Sequence, residues 1–171
     1  MKKQFKTTIF TVICMLALSA CGGDTKKEEA TEPAVATETT TEAPATTGTT
    51  LEIEADDQMK FNLTELKAVA GQEITLVLKN VGKMDKTVMG HNVIILKQGT
   101  DVAEYAKKAM AAKDTDYVPA SESESVIAHT KLTGGGESDT ITFTIPEKGT
   151  YDFICSFPGH YALMKGKLIV E

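Results

Sequence analysis

The ten residues Cys155-Ser156-Phe157-Pro158-Gly159-His160-Tyr161-Ala162-Leu163-Met164 place a thiol, an imidazole and a thioether within one short loop. All three are soft or borderline metal ligands. Cys, His and a weak axial Met, completed by a second His, make up the ligand set of a blue-copper electron-transfer site. A loop this short cannot surround an ion by itself, so the second imidazole must come from far away in the sequence. His91 qualifies: it stands in Val88-Met89-Gly90-His91-Asn92, just ahead of the apolar run Val93 to Leu96.

Working outward, the flanking residues alternate with a period of two. Tyr151, Phe153 and Cys155 share one parity, which turns the sulfur to the same side as two aromatic rings. Leu51 and Ile53 alternate with acids, and Met59, Phe61 and Leu63 with polar residues. Ile74, Leu76 and Leu78 follow the same rule, as do Ile141, Phe143 and Ile145. Short strands of this kind, separated by turns at Gly71, Gly82, Gly134 to Gly136 and Gly149, predict an all-β antiparallel sandwich. Val93 to Leu96 has no polar alternation and reads as a strand buried on both faces. One segment changes period: Val102, Tyr105, Ala106, Ala109 and Met110 fall at helical spacing. They predict a single external helix with Thr100 as N-cap, Asp101 in its first turn, and a packing stripe that includes Met110.

The C-x4-H-x3-M loop and the Val88–Asn92 block, with Asp57-Gln58-Met59, Val126-Ile127-Ala128-His129-Thr130-Lys131-Leu132 and Ala162-Leu163-Met164-Lys165-Gly166, run in one order along the chain. Together they resemble the azurin family, over residues 51–171. The resemblance implies a cupredoxin Greek-key β-sandwich holding one type 1 copper, and single-electron transfer without enzymatic turnover. It implies Cys155, His91 and His160 as the ligand plane, Met164 as axial ligand and the Gly90 carbonyl on the opposite side. It also implies that the amides of Asn92 and Phe157 donate to the Cys155 sulfur, and that the Asn92 side chain ties the two ligand loops together. Met84, Val88, Met89, Phe157, Pro158, Ala162 and Leu163 match the apolar collar on which redox partners dock. His129 matches a surface histidine outside the site. Four positions depart from the family: Val93 replaces a frequent Trp, Asn80 replaces a His, and Thr49 and Gly71 stand where a disulfide is usual.

The start of the chain reads differently. Lys2, Lys3 and Lys6 precede an apolar run up to Leu18, the shape of a secretory signal over residues 1–20. Leu18-Ser19-Ala20-Cys21 then resembles a bacterial lipobox, with Cys21 as the lipidated new N-terminus. Gly22 follows, with no retention signal of the aspartate type, which favours the outer membrane. Residues 21–50, rich in Thr, Glu, Ala and Pro and lacking aromatics, Ile, Leu and Met, cannot bury enough apolar surface to fold and predict a flexible linker. Its r.m.s. reach is about 30 Å.

Removing residues 1–20 takes three lysines and no acid, so the net charge moves from −6 to −9. With no arginine and no basic cluster, nucleic acid is not a partner class this sequence fits. The acidic balance suits cationic partners, c-type cytochromes or other redox proteins of the cell envelope. With Cys14 removed, Cys21 lipidated and Cys155 on the metal, no cysteine pair remains for a disulfide. A cysteine hydrolase gives Met164 no role, a trinuclear copper oxidase needs more than three histidines, and structural zinc favours Cys and His over Met. A copper-delivery lipoprotein would use the same donors, and that alternative stays open.

Overall fold

The computed structural model describes residues 48–171. The signal segment, Cys21 and nearly all of the linker lie outside the described residues. Among the described residues, nine strands form two sheets. One contains β2 (Lys60–Phe61), β1 (Thr49–Asp56), β4 (Glu73–Asn80) and β7 (Ser138–Thr144), in that order. The other contains β3 (Glu65–Ala68), β9 (Lys165–Val170), β8 (Gly149–Ile154), β5 (Ile94–Leu96) and β6 (Val126–His129). The all-β sandwich follows from the alternation: along β4, Ile74, Leu76, Leu78 and Asn80 point inward and are buried, while Glu73 and Lys79 stay exposed. Full burial of an Ile or Leu contributes about 1.5–3 kcal/mol. Val93, Ile94, Ile95 and Leu96 are all fully buried, as a strand covered on both faces requires.

The expectation of a purely antiparallel sandwich is corrected. β1 runs parallel to β4, with Thr49 opposite Ile74, and β3 runs parallel to β9. Side-chain alternation reports which face is covered and not which way a neighbour runs, so the sequence could not distinguish the two. β1 also begins at Thr49, two residues before the predicted start of the folded part. Thr49 and Thr50 lack apolar bulk but join the ladder beside Ile74 and Thr75. Leu63, expected in a strand, is 42 % exposed beyond the two-residue β2.

The external helix is α2 (Val102–Ala109), which buries Tyr105, Ala106 and Ala109. Its N-cap is Asp101, not Thr100: the Asp101 carboxylate accepts from the backbone N–H groups of Ala103 and Glu104, both at 3.0 Å. The Thr100 hydroxyl instead donates to the Lys97 carbonyl. Met110 is 53 % exposed and is not part of the packing stripe, because the helix ends at Ala109. A second, one-turn helix, α1 (Lys86–Met89), starts at Asp85 and delivers the chain to Gly90.

The chain directions bring one pole of the sandwich together. β1 and β4 end there, β8 ends there in Ile154, and β9 starts from it. β5 lies antiparallel to β8, with Ile94 opposite Ile154, so the residues just before β5 reach the same pole.

Candidate metal centre

His91 is held at this pole by main chain on both sides. Its N–H donates to the Thr133 carbonyl at 3.0 Å, and its own carbonyl accepts the Thr133 N–H at 2.8 Å and the Thr133 hydroxyl at 2.9 Å. Asn80, at the position where the family often has His, is buried and donates from Nδ2 to the Thr133 carbonyl. It therefore serves the strap that holds His91. Cys155 follows β8 directly, and its N–H donates to the Met164 carbonyl at 2.9 Å. His160 opens a 3-10 turn (His160–Ala162) whose preceding Gly159 has φ 85°, a left-handed conformation that glycine adopts without side-chain cost.

The sulfur and the two imidazoles meet. Cys155 Sγ lies 3.9 Å from His91 Nδ1 and 3.6 Å from His160 Nδ1. One ligand atom from each of these three buried residues falls within 4.8 Å of the others, the group expected from the sequence. The tautomer of His91 is fixed from behind: Nε2 donates to the Asp56 carbonyl at 2.9 Å, leaving the Nδ1 lone pair facing the sulfur. Burial and the neighbouring His91 push the His160 pKa down to about 4. Burial also lowers that of His91, against the opposing pull of the Asp56 carbonyl. Both rings are therefore neutral at neutral pH, with lone pairs available for a cation. Burial pushes the Cys155 thiol up to about 11, while the amides of Asn92 and Phe157 donate to the sulfur and pull it the other way. A bound soft cation would hold this sulfur as thiolate, and its charge would replace the proton.

The Asn92 side chain spans the two ligand loops as expected. Its Oδ1 accepts the Ser156 N–H at 2.9 Å, and its Nδ2 donates to Ser156 Oγ at 2.9 Å. The Gly90 carbonyl stands 4.0 Å from the sulfur, and Met164 is fully buried. Gly90 is glycine for a reason the sequence did not reveal. Its φ is an ordinary −73°, but a Cβ there would overlap the Lys86 carbonyl and come within 2.9 Å of the Leu132 side chain.

Of the apolar collar, Met84, Val88, Ala162 and Leu163 are exposed, and Met89 and Pro158 are half-buried. Phe157 is corrected: it is only 8 % exposed, its ring 4.7 Å from that of His160 and edge-on to Tyr117 at 5.1 Å. It is a wall behind His160 and not a rim residue. His129 is exposed on β6 opposite Ile94 and takes no part in the ligand group. Among the described residues Cys155 is a free cysteine, and Thr49 pairs with Ile74 where the family usually has a cross-link. The Asp56 carbonyl, Thr133 and the carbonyls of Asp116 and Tyr117 were not foreseen as parts of the site. Main-chain acceptors leave no mark in side-chain identity.

A two-sheet β-sandwich that gathers a thiol and two neutral imidazoles at one pole defines a cupredoxin-type metal protein. The donor set fits copper, which soft thiolate and imidazole ligands favour together. Comparison with known proteins agrees. Residues 48–171 match the family described as copper binding proteins, plastocyanin/azurin family, and the chain belongs to that family. It is 42% identical over 120 residues to the azurin of Alcaligenes faecalis, covering 68% of this chain and 93% of that one. It is 43% identical over 120 residues to outer membrane protein H.8 of Neisseria gonorrhoeae, covering 68% of this chain and 64% of that protein. In structure it is similar to auracyanin from Roseiflexus castenholzii, with TM-score 0.65 and 40% identity over 72% of this chain and 97% of that one. It is also similar to auracyanin A, a "blue" copper protein of Chloroflexus aurantiacus, with TM-score 0.66 and 38% identity, covering 72% and 99% of the two chains.

The protein is a blue-copper electron carrier, not an enzyme, and exchanges electrons with other redox proteins. Copper bound among His91, Cys155 and His160 supplies a one-electron couple. The chain's contribution is to hold these donors still. Each ligand loop is fixed by main-chain bonds on its own side and by Asn92 across the gap, so a change of charge finds little freedom to move them.

Proposed function

We propose that the domain is the head of a lipid-anchored carrier, tethered through Cys21, that passes single electrons to c-type cytochromes or other envelope redox proteins through the outer edge of His160. His160 opens the same 3-10 turn that carries exposed Ala162 and Leu163, which puts this ligand's loop at an apolar part of the surface, and this observation carries the reading. Exposed Met84, Val88, Ala162 and Leu163, with half-buried Met89 and Pro158, form the docking collar. An apolar rim excludes water during a brief encounter without demanding polar pairing. The Met164 thioether, as a weak donor, and the Gly90 carbonyl, 4.0 Å from the Cys155 sulfur, would complete the set of groups that hold copper. Membrane attachment at the outer membrane is supported by the Lys-led apolar start, by Leu18-Ser19-Ala20-Cys21, and by the similarity to outer membrane protein H.8.

Copper delivery is the competing role, and it requires release. His91, Cys155 and His160 are 0–3 % exposed, which opposes release. Stopped-flow mixing of the reduced chain with an oxidised c-type cytochrome tests the reading. Rapid cytochrome reduction with copper retained is expected. Slow exchange, with copper passing to an acceptor apoprotein, would establish the delivery role instead. Membrane fractionation after labelling with a fatty-acid analogue tests the anchor, which should be lost in Cys21→Ala.

A further inference from the structure

The turn after the 3-10 segment Lys113–Thr115 holds two successive non-glycine residues at positive φ, Asp116 at 55° and Tyr117 at 62°. Left-handed backbone is costly for residues with a Cβ, and two in a row persist only where surrounding contacts impose them. Here the contacts lead to the metal centre. The Asp116 carbonyl accepts from Asn92 Nδ2 at 2.8 Å, and the Tyr117 carbonyl accepts from Ser156 Oγ at 2.8 Å. Asn92 is the neighbour of His91, and Ser156 the neighbour of Cys155.

These bonds close a network in which every donor hydrogen has a place. Asn92 uses both amide hydrogens, one on Asp116 and one on Ser156 Oγ, while its Oδ1 takes the Ser156 N–H. The Ser156 hydroxyl has one hydrogen, for which the Tyr117 carbonyl at 2.8 Å is the nearer acceptor and Asn92 Oδ1 at 3.2 Å the farther one. Asn92 and Ser156 are buried, so losing the Asp116 carbonyl would strand an Asn92 hydrogen away from water, and losing that of Tyr117 would leave the Ser156 hydroxyl only its longer contact with Asn92 Oδ1. The same turn reaches the remaining parts of the site. The Asp116 carboxylate accepts the Leu132 N–H at 3.2 Å, and the Leu132 side chain fills the space against Gly90. The Tyr117 ring meets Phe157 edge-on, and Phe157 lies on His160.

We propose that the left-handed Asp116-Tyr117 turn is a positioning element of the copper site: its two carbonyls set the Asn92–Ser156 clamp and, through it, the separation of the His91 and Cys155 loops. Asn92 alone can join the loops but cannot fix where the pair sits; the turn supplies the outside reference. The inference rests on copper held by His91, Cys155 and His160, and not on the anchor, the partner or the axial ligand.

The test is a series at one position in the full chain: Asp116→Gly, Asp116→Ala and Asp116→Val. All three lose the carboxylate and keep the carbonyl, and they differ in how readily they adopt positive φ. The expected order of departure from the parent in midpoint potential and in the sulfur-to-copper absorption band is Val, then Ala, with Gly returning toward the parent. Copper retention should fall about 10–100-fold in the Val variant, the range seen when groups supporting metal ligands are lost. In the metal-free chain, the Ser156 amide should exchange with solvent faster in the same order. Ser156→Ala, which removes the donor to Tyr117, covers the case in which Asp116→Val does not fold, and should shift both potential and band. Three variants with one common potential and band, or parent values in Ser156→Ala, would overturn the positioning role. Failure of the parent chain to turn blue with Cu(II) is a separate result, and would overturn the copper assignment itself.

Discussion

Nε2 of His91 donates to the backbone carbonyl of Asp56 at 2.9 Å, across 35 positions of chain. The last residue of β1 thereby decides which nitrogen of His91 faces Cys155. With Nε2 occupied, Nδ1 must carry the lone pair, and the ring is neutral before any metal arrives. His160 reaches the same state by burial beside His91.

Two buried neutral imidazoles give the metal-free protein a defined pH dependence. The pKa of His160 falls from 6.5 to about 4 on folding, and that of His91 is also lowered. Between those values the unfolded chain binds protons that the folded chain refuses. Stability is therefore full above about pH 7 and is lost as pH falls from 6.5 toward 4, by on the order of 3 kcal/mol for His160. Urea midpoints of the metal-free chain at pH 7, 5.5 and 4.5 should decline in that order. A flat profile would mean that the two rings take up protons as readily in the folded chain as in the unfolded one.

Cys155→Ser replaces the sulfur by a hydroxyl in the same fully buried position. The Cu(II) chain should lose its intense blue charge-transfer band completely, since that absorption requires a thiolate bound to the ion. A variant that stays blue would contradict the donor set.

Gly90→Ala adds a methyl group against the Lys86 carbonyl and the Leu132 side chain. Backbone cannot give way as a flexible side chain does, so the cost should be about 1–3 kcal/mol. Denaturant melts of the metal-free chain would show it. Unchanged stability would mean that the segment Lys86–Gly90 shifts freely, contrary to a fixed approach of the Gly90 carbonyl to the sulfur.

Legibility divided along chemical lines. Cys155, His91 and His160 were readable because a metal needs particular donor atoms, and Asn92 because it matches a family position. Ile74, Leu76 and Leu78 were readable because burial imposes alternation. The parallel pairing of β1 with β4 was hidden, since Thr49 opposite Ile74 has the same side-chain pattern in either direction. The carbonyls of Asp56, Asp116 and Tyr117 were hidden because any residue carries one. Phe157 was misplaced for a related reason: the family match located its backbone beside the site, but only packing against Tyr117 and His160 shows that the ring turns inward.

That correction changes how docking should be probed. A charge at Phe157 would fall in a buried contact with His160 and would disturb the metal and the interface together. Leu163 is 64 % exposed. Leu163→Glu should leave stability within about 0.5 kcal/mol and the absorption band unchanged. It should slow electron exchange with a cytochrome, as a charge set into an apolar rim raises the cost of excluding water. Parent exchange rates in Leu163→Glu would remove Leu163 from the docking surface.

Met164 is the residue whose assigned role has the sharpest consequence. It is fully buried, its N–H donates to the His160 carbonyl at 2.8 Å, and its own carbonyl accepts the Cys155 N–H. Its main chain therefore couples two ligand residues whatever its side chain does. Met164→Leu keeps that main chain and nearly the same volume, and a swap of this kind costs less than about 1.5 kcal/mol. What it removes is the thioether. A weak sulfur donor stabilises the oxidised ion more than the reduced one, so its loss should raise the midpoint potential while the blue band survives. Redox titration of parent and variant measures this directly. An unchanged or lower potential, with the fold intact, would mean that Met164 serves the site through its backbone alone.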